Sequence, residues 1–127
     1  MEKTLVMVKP DGVELKLIGL VISEIEYTDL KISRMTCKTL SKTEAEALYA
    51  EHKGKDFFAR NIEHIISGPA VLIEVEGDDA VPKCREIVEA FRRRFVNFIE
   101  LPKNIAHATS DPTKASEELD AVSKFFS

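Results

Sequence analysis

Four short stretches rich in β-forming residues, at 4–8, 30–40, 70–76 and 105–108, alternate with helical stretches. In a chain of 127 residues this order leaves few folds. The first is an apolar run closed by Pro10 and Gly12, a buried strand that turns just after delivering Lys9 to its end. Residues 17–27 place Ile18, Val21, Ile22 and Ile25 on one helical stripe, with Glu24 and Glu26 off it. The second strand, at 30–40, alternates only loosely, and Lys31, Ser33 and Met35 leave its buried face open.

Ser41 followed by Glu44 forms a capping box that starts a helix through Tyr49, and a second helix runs over 57–66 until Ser67-Gly68-Pro69 stops it. In the third strand, Val71, Ile73 and Val75 alternate with Leu72 and Glu74. Gly77-Asp78-Asp79 then turns into a helix over 81–91, with Pro82 in its first turn. The fourth strand, at 105–108, leads to a last helix over 113–125. The order is βαββαβ with added helices. It predicts an α+β, ferredoxin-like fold: a four-stranded antiparallel sheet with helices packed on one face and the added helices around it. No repeat or linker divides the chain, so residues 1–127 form a single domain in this reading.

Composition narrows the function. A formal net charge of −4 argues against broad affinity for nucleic acid or acidic membranes, which need clustered excess Lys and Arg. Cys37 and Cys84 offer neither a disulfide framework nor metal-finger spacing, so no metal site is expected and a reducing cytoplasm is the simplest setting. No apolar leader and no stretch approaching a membrane span is present, so neither secretion nor membrane insertion is expected.

Lys9, Arg85, Arg94 and His107 are residue types suited to phosphoryl transfer through a histidine. Imidazole has an unperturbed pKa of about 6.5, so much of it is an available nucleophile near neutral pH. Guanidinium forks and an ammonium then position and neutralise the phosphates. His107 leads among the three histidines: His52 sits in a charged run, and His64 lies on an amphipathic helix where packing is the commoner role. Arg92-Arg93-Arg94 on its own reads as a solvated helix end.

Four blocks then resemble the signature segments of nucleoside diphosphate kinases, in that family's order. They are Lys9-Pro10-Asp11-Gly12 with the strand before it, the stretch from Tyr49 to Phe58, Ser67-Gly68-Pro69, and Asn104-Ile105-Ala106-His107. The resemblance implies a ping-pong enzyme that passes the γ-phosphoryl of ATP or another nucleoside triphosphate to His107 and then to a nucleoside diphosphate. Mg²⁺ would be bound through the nucleotide phosphates. It further implies Lys9 near the transferring phosphoryl, Tyr49 beside the histidine, and Phe57 stacking on the base with Leu101 across it. Arg85 and Arg94 would hold phosphate, Asn104 would contact the sugar hydroxyl, Thr109 would supply a hydroxyl at the nucleotide, and Glu118 would orient the imidazole. Stacking accepts every base, so broad nucleotide tolerance is expected.

The chain departs from the family in three places. Only eight residues separate Arg85 from Arg94, where the family carries a longer loop with a phosphate-binding threonine; Phe91 stands in that threonine's place. Arg94 is matched by its thirteen-residue distance to His107, and Arg92 or Arg93 could take the site instead. Ser110 replaces the aspartate of the histidine block, and Asp56 replaces a proline. Because the family's long loop builds subunit contacts, its loss makes a dimer-based homo-oligomer at least as plausible as the usual hexamer. The alternative reading is a nucleotide-binding or regulatory module on the same fold with weak or no kinase activity.

Overall fold

The computed structural model describes residues 2–50, 53–100 and 103–126. Strand β1 (Glu2–Val8) is followed by α1 (Pro10–Glu14), α2 (Ile18–Glu26) and strand β2 (Lys31–Lys38). Helices α3 (Lys42–Leu48) and α4 (Phe58–Ile65) precede β3 (Ala70–Gly77), and α5 (Ala80–Arg94), β4 (Ala106–Ala108) and α6 (Pro112–Val122) complete the order. The sheet runs β2-β3-β1-β4 with every neighbouring pair antiparallel, the α+β ferredoxin-like arrangement.

Both faces of the sheet are covered, where the sequence reading put the principal helices on one. Val6 and Val8 of β1, with Val71, Ile73 and Val75 of β3, pack against Val21 and Ile25 of α2 and Cys84, Val88 and Phe91 of α5. Leu5, Met7 and Leu72 point the other way and pack against Leu48, Ile62, Ile65, Leu119 and Val122 of α3, α4 and α6. The cause is in β1 itself, since a continuous apolar run offers both faces of the pleat to a core.

Strand β2 is an edge with no buried residue, and a register shift between Ile32 and Arg34 breaks its alternation. Ser41 caps α3 with the full reciprocal box, accepting from the Glu44 N–H while Glu44 accepts from the Ser41 N–H. The turn expected after Val8 is instead the short helix α1, with Pro10 in its first turn, where its fixed φ suits helix and its missing N–H is not needed. Helix α5 runs three residues past the expected end, filling with helix the length that a loop would occupy.

Candidate active site

Strand β4 is the second edge of the sheet, and along it a cleft of about 300 Å³ opens between α5 and α6. Its walls include Arg85, Glu89 and Arg92 from α5, His107 from β4, Ser110, and Lys114 from α6. Antiparallel pairing sets His107 opposite Met7 and brings the start of β4 to the end of β1, where Lys9 emerges. The sheet thus joins two segments nearly a hundred residues apart: Lys9 Nζ donates to Asn104 Oδ1 over 2.6 Å.

His107 Nε2 lies 3.0 Å from Glu118 Oε1 on α6. An ionised carboxylate only accepts, so Nε2 carries the proton and Nδ1 keeps its lone pair; this tautomer is assigned from the partner. Glu118 is buried and also accepts from Thr109 Oγ1 over 2.9 Å. Tyr49 packs edge-on to the imidazole, with ring centroids 5.7 Å apart, and burial pushes its phenol well above the usual range. The histidine is thus held from behind by a carboxylate and flanked by an aromatic, with cations across the cleft.

Thr109 does not reach the cleft, contrary to expectation. It is fully buried, and besides Glu118 its hydroxyl reaches the Leu5 carbonyl at 3.3 Å, so it steadies the carboxylate behind His107. Two residues along a strand share a face, and Thr109 therefore follows His107 toward α6.

Arg94 is also not where its distance to His107 suggested. A helix turns about 100° per residue, so Arg85 and Arg92, seven apart, fall on one stripe, while Arg94 lies about 200° round from Arg92. Arg94 borders a separate groove with Glu24, Thr28 and Ile87, and its guanidinium sits 5.3 Å from the Phe95 ring centroid. Arg92 lines the cleft instead, donating to the Ala106 carbonyl over 2.6 Å next to His107. Arg85 lines the cleft with an ion pair to Glu89 at 3.3 Å.

Phe57 caps the start of α4 with its ring partly exposed and Lys55 Nζ 5.9 Å from the ring centroid. Leu101 and His52 lie outside the described residues. Lys9 is buried, and desolvation brings its ammonium down to about 8; the nearby Asp11 carboxylate opposes this drop, and Arg92 adds to it. Among the described residues no three His, Cys, Asp or Glu side chains gather to hold a metal.

Sequence reasoning missed a buried pair beneath the site. His64 Nε2 meets Asp11 Oδ1 at 2.8 Å, and Asp11 Oδ2 accepts the Ile105 N–H at 2.8 Å. Burial alone would raise the Asp11 carboxyl, but the bonds from His64 and Ile105, with the charges of His64 and Lys9, leave it below its usual value. Ile105 has φ of 75°, and the Ala106 N–H donates to the Asn104 carbonyl over 2.8 Å, a positive-φ γ-turn one residue before β4. Gly12 must be glycine here, since a Cβ would stand 2.5 Å from the Ile105 carbonyl oxygen.

Known proteins resemble this chain along nearly its whole length. The family model described as nucleoside diphosphate kinase matches residues 2–126. A nucleoside diphosphate kinase of Ignicoccus hospitalis is 40% identical over 94% of this chain and 86% of its own length. That of Archaeoglobus fulgidus is 39% identical over 100% of this chain and 87% of its own. Among solved structures, the Aquifex aeolicus nucleoside diphosphate kinase superposes with a TM-score of 0.86 at 28% identity, covering 95% of this chain and 94% of that one. A family protein from Babesia bovis gives 0.88 at 30% identity, covering 95% and 87%.

Proposed function

The chain belongs to the nucleoside diphosphate kinase family and has that family's activity, and we propose that His107 Nδ1 carries the phosphoryl group between two nucleotides in a ping-pong cycle. The observation that carries this reading is the His107–Glu118 pair at the edge of a cleft lined by Arg85, Arg92 and Lys114. The Nδ1 lone pair attacks the γ-phosphorus, the bond from that phosphorus to the β–γ bridging oxygen breaks, and the nucleoside diphosphate leaves with that oxygen. Glu118 balances the charge that develops on the imidazolium while Nε2 keeps its proton. A second nucleoside diphosphate then attacks the phosphohistidine from the same position.

Arg85, Arg92 and Lys114 neutralise the phosphates, Lys9 reaches the transferring group and Asn104 the sugar, and Phe57 stacks on the base. Mg²⁺ bound with the nucleotide would supply charge neutralisation beside Arg85, Arg92 and Lys114. We further propose a homo-oligomer, supported by exposed Tyr27, Met35, Val96 and Phe98, and a cytoplasmic setting, supported by free and separate Cys37 and Cys84. No helix among the described residues is long and apolar enough to cross a membrane.

The test is a pulse-chase with Mg²⁺ and γ-labelled ATP. The protein is expected to take up an acid-labile, base-stable label that moves to added nucleoside diphosphate, and His107→Ala to take up none while still binding ATP. Binding without label on the native protein would return the chain to the nucleotide-binding module.

A further inference from the structure

Ile105 sits in a backbone conformation that a β-branched residue adopts only when its surroundings force it there. Strain of this kind, placed two residues before a nucleophile, persists because neighbouring bonds over-determine it. The Lys9 N–H donates to the Ile105 carbonyl over 2.9 Å, and Arg92 holds the Asn104 and Ala106 carbonyls on either side. The Ile105 N–H itself goes to Asp11 Oδ2. Asp11 is buried, and a buried carboxylate keeps its place only when both oxygens are satisfied. His64 satisfies the other, from a different helix.

We propose that His64 is a positioning residue for phosphoryl transfer: through Asp11 it locks the γ-turn at Ile105 and so fixes His107 against the helix that carries Phe57. Phe57 is the N-cap of α4 and His64 lies in its last turn, so the His64–Asp11–Ile105 chain links the helix behind the stacking platform to the turn before the nucleophile. The proposal rests on His107 being the nucleophile. His64 donates its Nε2–H to an ionised Asp11 and never meets substrate; removing that donor leaves Asp11 half-satisfied and lets the strained turn relax. The reacting atoms then lose alignment, whereas Arg85, Lys114 and Phe57 still hold the nucleotide.

The experiment compares native protein, His64→Phe, which keeps a ring without a donor, and His64→Gln, which keeps a side-chain N–H. Two readouts are taken: the single-turnover rate of His107 phosphorylation beside equilibrium ATP binding, and amide hydrogen exchange at Ile105. His64→Phe is expected to lower the rate about tenfold, the scale of a sub-ångström misplacement, with ATP affinity within about twofold, and His64→Gln to recover most of it. The Ile105 amide should exchange at least about tenfold faster in His64→Phe and stay protected in His64→Gln. An unchanged rate in His64→Phe, or no recovery in His64→Gln, overturns the proposal.

Should His64→Phe not fold, Asp11→Asn decides, because its amide offers one acceptor oxygen for two donors; an unchanged rate there overturns the proposal equally. A native protein that takes up no label defeats the reading of His107. The exchange comparison then still decides whether His64 locks the turn, and equal exchange in all variants overturns that lock.

Discussion

Arg92 donates to the carbonyl of Ala106, the residue before His107, over 2.6 Å, and reaches the Asn104 carbonyl at 3.4 Å. One guanidinium therefore braces the backbone that presents His107 and borders the cleft that faces it.

This makes Arg92 and Arg94 separable by experiment. Arg92→Ala should weaken ADP binding at least about tenfold, since a charge-assisted bond to phosphate is worth roughly 1.5–3 kcal/mol, whereas Arg94→Ala should stay within about twofold. Titration calorimetry of the two variants at one ionic strength checks this. Equal losses would place both arginines on the phosphates.

Glu89 is a carboxylate among cations, paired with Arg85 in the cleft where nucleotide phosphates are proposed to lie. An incoming polyphosphate has to displace it from the guanidinium and sit beside its charge. Glu89→Gln should therefore tighten ATP binding about fivefold, or roughly 1 kcal/mol for one unit charge at short range in a wet cleft. The gain should shrink as salt rises, because exposed charges are screened. Weaker binding in Glu89→Gln would show that this carboxylate helps the nucleotide.

Lys9 supplies a pH dependence whose sign is fixed by its environment. Its ammonium titrates near 8, below its unfolded value, so the free protein loses this positive charge as pH rises through 8. Bound phosphate favours the charged form and raises the value again. Nucleotide binding at pH 8 should take up about half a proton, falling toward none below about pH 6.5, and affinity should decline above pH 8. Binding enthalpies in buffers of different ionisation heat measure this directly. The contribution of Lys9 to stability runs the other way, rising with pH between about 8 and 10.4, where the unfolded chain binds more protons.

The sequence carried the element order, the capping box at Ser41 and the proximity of Lys9, Asn104 and His107, because these depend on local patterns or on strand pairing that few topologies allow. Two further features follow from local patterns. Counting back from His107 across a segment of altered length pointed to Arg94, while counting forward from Arg85 by two helical turns reaches Arg92. The apolar run in β1 announced burial on both faces. The Asp11–His64 pair was illegible for a different reason: its partners are 53 residues apart, and no periodicity in either segment marks the other.

The most direct test of the account is the identity of the phosphorylated atom. Glu118 occupies Nε2 at 3.0 Å and leaves Nδ1 as the nucleophile, so phosphoenzyme prepared with ATP and kept alkaline should carry its phosphoryl group on Nδ1 of His107 by phosphorus and proton NMR. A phosphoryl group on Nε2, or on any residue other than His107, would contradict it.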